Sequence, residues 1–352
     1  MKIAVGTDKG LLIYQKVDAS WLLHDIHFLG MPIGAFHEDA SQNWWVAINH
    51  KHWGAKIYRS VDQGETFKEV NPPKFNTNSP YSLKSIWTIQ SRVISGLLQL
   101  LIGTEPAALF NSNDLGQSWT EMDGLSQHPS RNTWQGGGKG SNSPFLHTLL
   151  LDQEDADHLL VGISCAGVFQ TFDGGYSWKP TNEGLKAFFL PNSESEVGHD
   201  PHTIRQSRKN PNVLWQQNHC GIYRSEDYGN TWKDITDKEN EAVYGFAMVI
   251  AEDNDQEAWV IPAQNDNMRI PANQKLAVYH THNAGQDWTP QTNGLPSPAF
   301  DLVFRHAMDL SMDYITFGTN NGNLYISENK GKQWLTLSQN LSAVRNIKFI
   351  NP

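Results

Sequence analysis

Apolar and polar residues alternate in short runs along this chain. Examples are Lys56-Ile-Tyr58-Arg-Ser60, Gly221-Ile-Tyr223-Arg-Ser225 and Asn323-Leu-Tyr325-Ile-Ser327. Successive side chains of a strand point to opposite faces, so this period of two predicts β-strands with one buried side. Such runs lead into a polar segment that recurs six times. The first three copies are Ser60-Val-Asp62-Gln-Gly64-Glu-Thr66-Phe67, Ser112-Asn-Asp114-Leu-Gly116-Gln-Ser118-Trp119 and Thr171-Phe-Asp173-Gly-Gly175-Tyr-Ser177-Trp178. The others are Ser225-Glu-Asp227-Tyr-Gly229-Asn-Thr231-Trp232, Thr281-His-Asn283-Ala-Gly285-Gln-Asp287-Trp288 and Ser327-Glu-Asn329-Lys-Gly331-Lys-Gln333-Trp334. Their glycines are 52, 59, 54, 56 and 46 residues apart. One supersecondary unit therefore repeats about every fifty residues, the period of a propeller or solenoid.

The repeated segment has the chemistry of a hairpin turn. Asp or Asn at its third position can accept backbone N–H groups of the turn. Glycine two residues later allows positive φ without a Cβ clash. The closing aromatic begins the outgoing strand and offers a broad apolar face to a neighbouring unit. On these residues the chain resembles the Asp-box (BNR) repeat of sialidase-like β-propellers, over nearly its whole length. The resemblance implies four-stranded blades, with each Asp box between the third and fourth strands.

Six boxes give six blades, and a seventh can be assembled from the two ends. Segments 2–7, 10–14 and 21–28 read as second, third and fourth strands with no first strand before them, while 344–350 follows the last blade unpaired. The expected fold is all-β: a seven-bladed propeller of four-stranded antiparallel blades, closed by the C-terminal strand pairing with the N-terminal ones. Such pairing removes two exposed sheet edges. Six blades with a decorated seam is the alternative. The other blades are expected near 33–70, 82–122, 145–182, 199–236, 243–290 and 300–338, with long loops at 126–143 and 188–198. The whole chain, 1–352, reads as a single propeller domain.

Composition narrows the partners. Thirteen Trp and 28 Gly suit a protein of many hairpins, and 27 basic against 37 acidic residues give a net charge of −10. That balance argues against nucleic acid and anionic membranes as partners. The start, Met1-Lys-Ile-Ala-Val-Gly-Thr-Asp8, is strand-like and lacks the apolar core of a secretory signal. The most apolar stretch, 94–103, is too short to span a bilayer. Two cysteines make no disulfide framework. A cytoplasmic monomer is expected.

Candidate chemistry follows from topology. In sialidase-like propellers the ligand site lies on the face opposite the Asp boxes, which makes the box aspartates structural. That face carries the approach to each innermost strand: Lys84, His147, His199 with His202, Tyr244, Arg305 with His306, and Arg345. It also carries the connections from second to third strand: Asp8, His50 with His52 and Trp53, Glu105, Cys165, Asn218-His219-Cys220, Asp266 with Arg269, and Asn320. Glu105, with Asp266 or Asp8, is the candidate acid/base pair, with His202 as a base in an elimination. Arg305, Arg345 and Arg269 suit an anionic group because guanidinium forks match carboxylate geometry. His306, Asn218 and Lys84 complete the expected ligand set. His147, His202 and His219 occupy matching blade positions and could hold a divalent metal, or could be hydrogen-bonded histidines closing the channel floor.

A classical sialidase needs three arginines, a Tyr–Glu pair and an Asp acid. No Tyr–Glu pair is assignable here. Met268-Arg-Ile-Pro271 is similar to the family's Arg-Ile-Pro motif, but it falls in the sixth blade, where the family's motif precedes the first box. The chain is also similar to a bacterial group of unsecreted glycosyl-hydrolase-like BNR proteins, in Gly103-Thr-Glu105-Pro106-Ala107-Ala-Leu-Phe110 and Gln217-Asn218-His219-Cys220-Gly221. Two functions follow as expectations: a glycoside hydrolase or lyase acting on an anionic sugar, or a non-catalytic ligand-binding or assembly propeller.

Overall fold

The alternating runs form strands because each can bury its apolar face against a neighbouring sheet. In the computed structural model, which describes residues 1–137, 143–237 and 243–350, they build seven four-stranded antiparallel sheets, the blades of a seven-bladed β-propeller. Residues 138–142, part of the loop expected at 126–143, lie outside the described residues.

The blades fall into two compact units. One unit holds the first, fifth, sixth and seventh blades, and the other holds the second, third and fourth. In the first blade Val344–Ile350 pairs with Lys2–Thr7, which pairs in turn with Gly10–Val17 and then Ser20–His27. The two ends of the chain thus share one sheet. The fifth blade runs from Pro201–Gln206 to Lys233–Asp234, the sixth from Tyr244–Ile250 to Thr289–Gln291, and the seventh from Met308–Ser311 to Leu335–Ser338. In the other unit the blades run from Ile33–Glu38 to Lys68–Val70, from Ser85–Ile94 to Thr120–Glu121, and from Leu146–Leu151 to Lys179–Pro180.

Aliphatic and aromatic faces of adjacent blades fill the space between them. One core joins Val5, Val344 and Ile347 of the first blade to Met308, Phe317 and Tyr325 of the seventh and Trp259 of the sixth, all buried. In the other unit Leu101 and Leu109 of the third blade pack with Leu146, Leu159, Phe169 and Trp178 of the fourth. The closing aromatics of the repeated turn reach toward the preceding blade. Trp288 packs edge-on to Trp215, and Trp119 Nε1 donates to the Asn71 carbonyl at 2.7 Å.

The six turns share one bonding pattern. Ser60 Oγ donates to Asp62 Oδ1 at 2.7 Å and accepts the Gly64 N–H at 2.8 Å. Asp62 then accepts the Thr66 N–H at 2.9 Å and the Thr66 hydroxyl at 2.6 Å. Ser225, Asp227, Gly229 and Thr231 repeat it in the fifth blade. Two consecutive residues take positive φ, such as Ala284 at 60° and Gly285 at 82°. A Cβ on Gly285 would stand 2.7 Å from Ile235 Cδ1, so glycine is required for space as well as conformation.

Candidate functional site

One irregularity recurs at the start of the innermost strands. The ladder skips a residue between Ile33 and Ala35, Ile86 and Thr88, Leu146 and Thr148, Pro201 and Thr203, and Gly245 and Ala247. In the first blade the skip leaves out Arg345. A bulge leaves its extra residue outside the pairing and re-aims the side chain. The residues so presented are Gly34, Trp87, His147, His202, Phe246 and Arg345.

In the four-blade unit two of these, His202 and Phe246, meet a cluster of polar groups. The His202 ring stacks on Phe246 with centroids 4.3 Å apart, and its Nδ1 lies 2.6 Å from the Gly245 carbonyl. Asp200, just before the same strand, directs Oδ2 at His202 Nε2 (3.3 Å) and at His219 Nδ1 (3.4 Å). His219 sits at the hairpin between Leu214–Asn218 and Gly221–Ser225, and its N–H donates to the Asp200 carbonyl. That backbone bond fixes the spacing between the two loops. The His219 ring also meets the edges of Tyr244 and Phe189.

Burial opposes ionisation of Asp200. The neighbouring His202, with His219 and Arg305, outweighs it and holds the carboxyl well below the usual carboxylate range. Burial pushes the His202 imidazole down, against the pull of Asp200. Asp266 is likewise held low: burial is overcome by its bond to Arg269. Burial raises the Tyr244 hydroxyl, which donates to Asp266 Oδ1 at 3.2 Å.

Beside this cluster is a cleft of about 500 Å³, lined by His219, Tyr244, Gln264, Asn265 and Asp266 among others. Arg269, paired with Asp266, keeps about a third of its side chain exposed. Its guanidinium and that of Arg305 lie 5.4 and 5.3 Å from the Phe246 ring centre. Arg305 Nε donates to the His202 carbonyl at 3.1 Å.

The structure thus brings together Asp266, Arg269, Arg305, His202 and His219. The remaining sequence-predicted residues have other surroundings. Arg345 makes a two-pronged ion pair with Asp8, both bonds 2.7 Å, and lies over Phe304. The His306 carbonyl accepts the Ile347 N–H. Asn218 is fully buried and braces its hairpin, bonding Gln216 and the Cys220 N–H. Lys84, Glu105 and His147 belong to the other unit. There Lys84 donates to Ser143, which donates in turn to Glu105, and Glu105 also faces Ser85 and Trp87. His147 is buried with Nδ1 on the Thr148 hydroxyl and its ring near Phe145. His202 and His219 therefore find their third partner in Asp200. Sequence reasoning did not select Asp200, nor Phe246 and Trp87. Asp200-Pro-His202, opening the innermost strand of the fifth blade, was the available signal.

Comparisons with known proteins extend the fold. A family described as Sortilin, neurotensin receptor 3, matches residues 220–350. No curated protein matches. Among solved structures, an ancestral GH74 enzyme aligns at 14% identity and a TM-score of 0.58, over 90% of this chain and 38% of its own. This chain thus spans well under half of that enzyme. YCF48 from Cyanidioschyzon merolae aligns at 12% identity and 0.57, over 91% and 88%. The periplasmic gluconolactonase of Pseudomonas aeruginosa aligns at 12% and 0.58, over 99% of each chain. At such identities the likeness is one of fold.

Proposed function

We propose that this chain is a sialidase-like Asp-box propeller, a single domain, that binds a small acidic carbohydrate in the cleft beside His219, Tyr244 and Asp266. One observation carries this reading: a cleft of sugar size walled by the Tyr244 ring, the amides of Gln264, Asn265 and Asn267, and Asp266, which pairs with the partly exposed guanidinium of Arg269. Pockets of this make-up orient a ligand with a few placed polar groups against an apolar wall. Arg269 anchors the ligand's carboxylate, since its fork has more donors than Asp266 occupies. Tyr244 offers its ring to the sugar face.

Hydrolysis by a carboxylate pair fits this cleft poorly. It needs one carboxyl kept protonated as the acid, whereas Asp200 and Asp266 are both held ionised by their neighbours. A second reading, elimination from the same acidic sugar, is favoured by the position of Tyr244. Tyr244 lines the cleft and burial keeps its hydroxyl protonated. It can therefore protonate the leaving oxygen as the C–O bond breaks, while the ionised Asp266 beside it takes the proton α to the sugar's carboxylate.

Calorimetry against uronic acids, sialic acid and matched neutral sugars tests the binding. An acidic ligand should bind, and Arg269→Ala should weaken it at least tenfold. Equal binding of acidic and neutral sugars would remove the anion site. Ultraviolet absorbance of an unsaturated product, lost in Tyr244→Phe with binding retained, would identify the elimination.

A further inference from the structure

The geometry points to a divalent metal site, of the zinc class, formed by Asp200 Oδ2, His202 Nε2 and His219 Nδ1. Their donor atoms all lie within 4.8 Å of one another. The two measured edges, 3.3 and 3.4 Å, are long for charge-assisted hydrogen bonds, which run about 2.7–2.9 Å. They match the edge of a tetrahedron around an ion with ligand distances of about 2.0–2.1 Å, which is roughly 3.3–3.4 Å.

The tautomer of His202 leads to the same place. The Gly245 carbonyl can only accept, so at 2.6 Å the Nδ1 must carry hydrogen. In a neutral ring that leaves a bare lone pair on Nε2 facing a carboxylate oxygen. Two acceptors so opposed in a buried site need a positive charge between them, either a proton on Nε2 or a metal ion. A backbone carbonyl bonded to the far nitrogen is the usual support of a metal-bound histidine, because it fixes both tautomer and ring orientation. Two imidazoles and one carboxylate suit Zn²⁺, Co²⁺ or Mn²⁺ better than Ca²⁺ or Mg²⁺, which prefer oxygen.

The location has a use for the charge. Among the described residues, two carboxylates, Asp200 and Asp266, stand against two guanidiniums, Arg269 and Arg305. A divalent ion would make the neighbourhood net positive, and three protein ligands leave a coordination position for an anionic group. His219, lining the cleft, is the ligand nearest to it.

The site is independent of the sugar reading, so metal binding is measured without ligand. Full-length protein without an affinity tag is stripped with a chelator, then titrated with Zn²⁺, Co²⁺ and Mn²⁺ by calorimetry. One equivalent of Zn²⁺ should bind and raise the Tm, and Co²⁺ should give the visible spectrum of a tetrahedral centre. His219→Ala, at a partly exposed turn, should fold normally and bind at least tenfold more weakly; Asp200→Asn should do the same. Absence of uptake by the folded wild type would show that a proton holds Asp200 against His202. Unchanged uptake in a folded His219→Ala protein would place the metal elsewhere. Either result overturns the proposal.

Discussion

The hydroxyl at the head of each repeated turn bonds two groups at once. Ser225 Oγ donates to Asp227 and accepts the buried Gly229 N–H at 2.8 Å. Ser225→Ala should therefore leave that N–H unpaired and cost about 1–3 kcal/mol in denaturant unfolding, with ligand affinity unchanged. The aspartates add a pH dependence. Hydrogen bonds from the Thr66 and Ser60 hydroxyls, from the Ser118 hydroxyl and N–H, and from the Ser177 hydroxyl and N–H lower Asp62, Asp114 and Asp173 from 3.8 to about 2. Between those values the unfolded chain binds more protons than the folded one. The contribution is complete above pH 3.8 and is lost as pH falls toward 2. The triple variant with Asn at positions 62, 114 and 173 should show a flatter Tm between pH 4 and pH 2, as Asn283 and Asn329 already imply for their own turns. Single residues were unevenly legible in the sequence. The turns declare themselves through types fixed by local geometry. Asp200 did not, because its role depends on a histidine nineteen residues later that reaches it only through the Asp200–His219 backbone bond.

Strands and blades were more readable than residues. Short apolar runs and turn chemistry mark each strand and hairpin, so the blade expected near 199–236 spans Pro201–Gln206 to Lys233–Asp234. Its inner strands, however, are buried on both faces rather than on one. The seventh blade shows the limit. Its expected start at 300 precedes Met308–Ser311, because Leu302 and Val303 are buried like strand residues without entering the ladder. Bulges were invisible, since they exist only in the register between two strands. Pairing of Val344–Ile350 with Lys2–Thr7 gives a direct test. Val344, Ile347 and Ile350 are buried, and each contributes roughly 1.5–3 kcal/mol. Deleting residues 343–352 should lower the Tm markedly and expose two sheet edges to aggregation. An unchanged melting curve would mean that the sheet does not depend on this strand.

At the scale of the molecule, the net charge of −10 opposes an acidic ligand at long range. Association should therefore quicken as salt screens the general field, up to the point where the contact at Arg269 is itself weakened. Stopped-flow association rates from low to moderate ionic strength check this, and a monotonic fall would indicate a cationic steering field instead. The bulges have a consequence for descent. Within a blade the repeated turn and the bulged residue sit at opposite ends of the strands, and the bulged residue is outside the ladder. Substitution there can alter chemistry while the pairing that makes the fold recognisable stays intact. Kinship among such chains will be written in their turns, and divergence of purpose in a handful of addresses that a search for the repeat never reads.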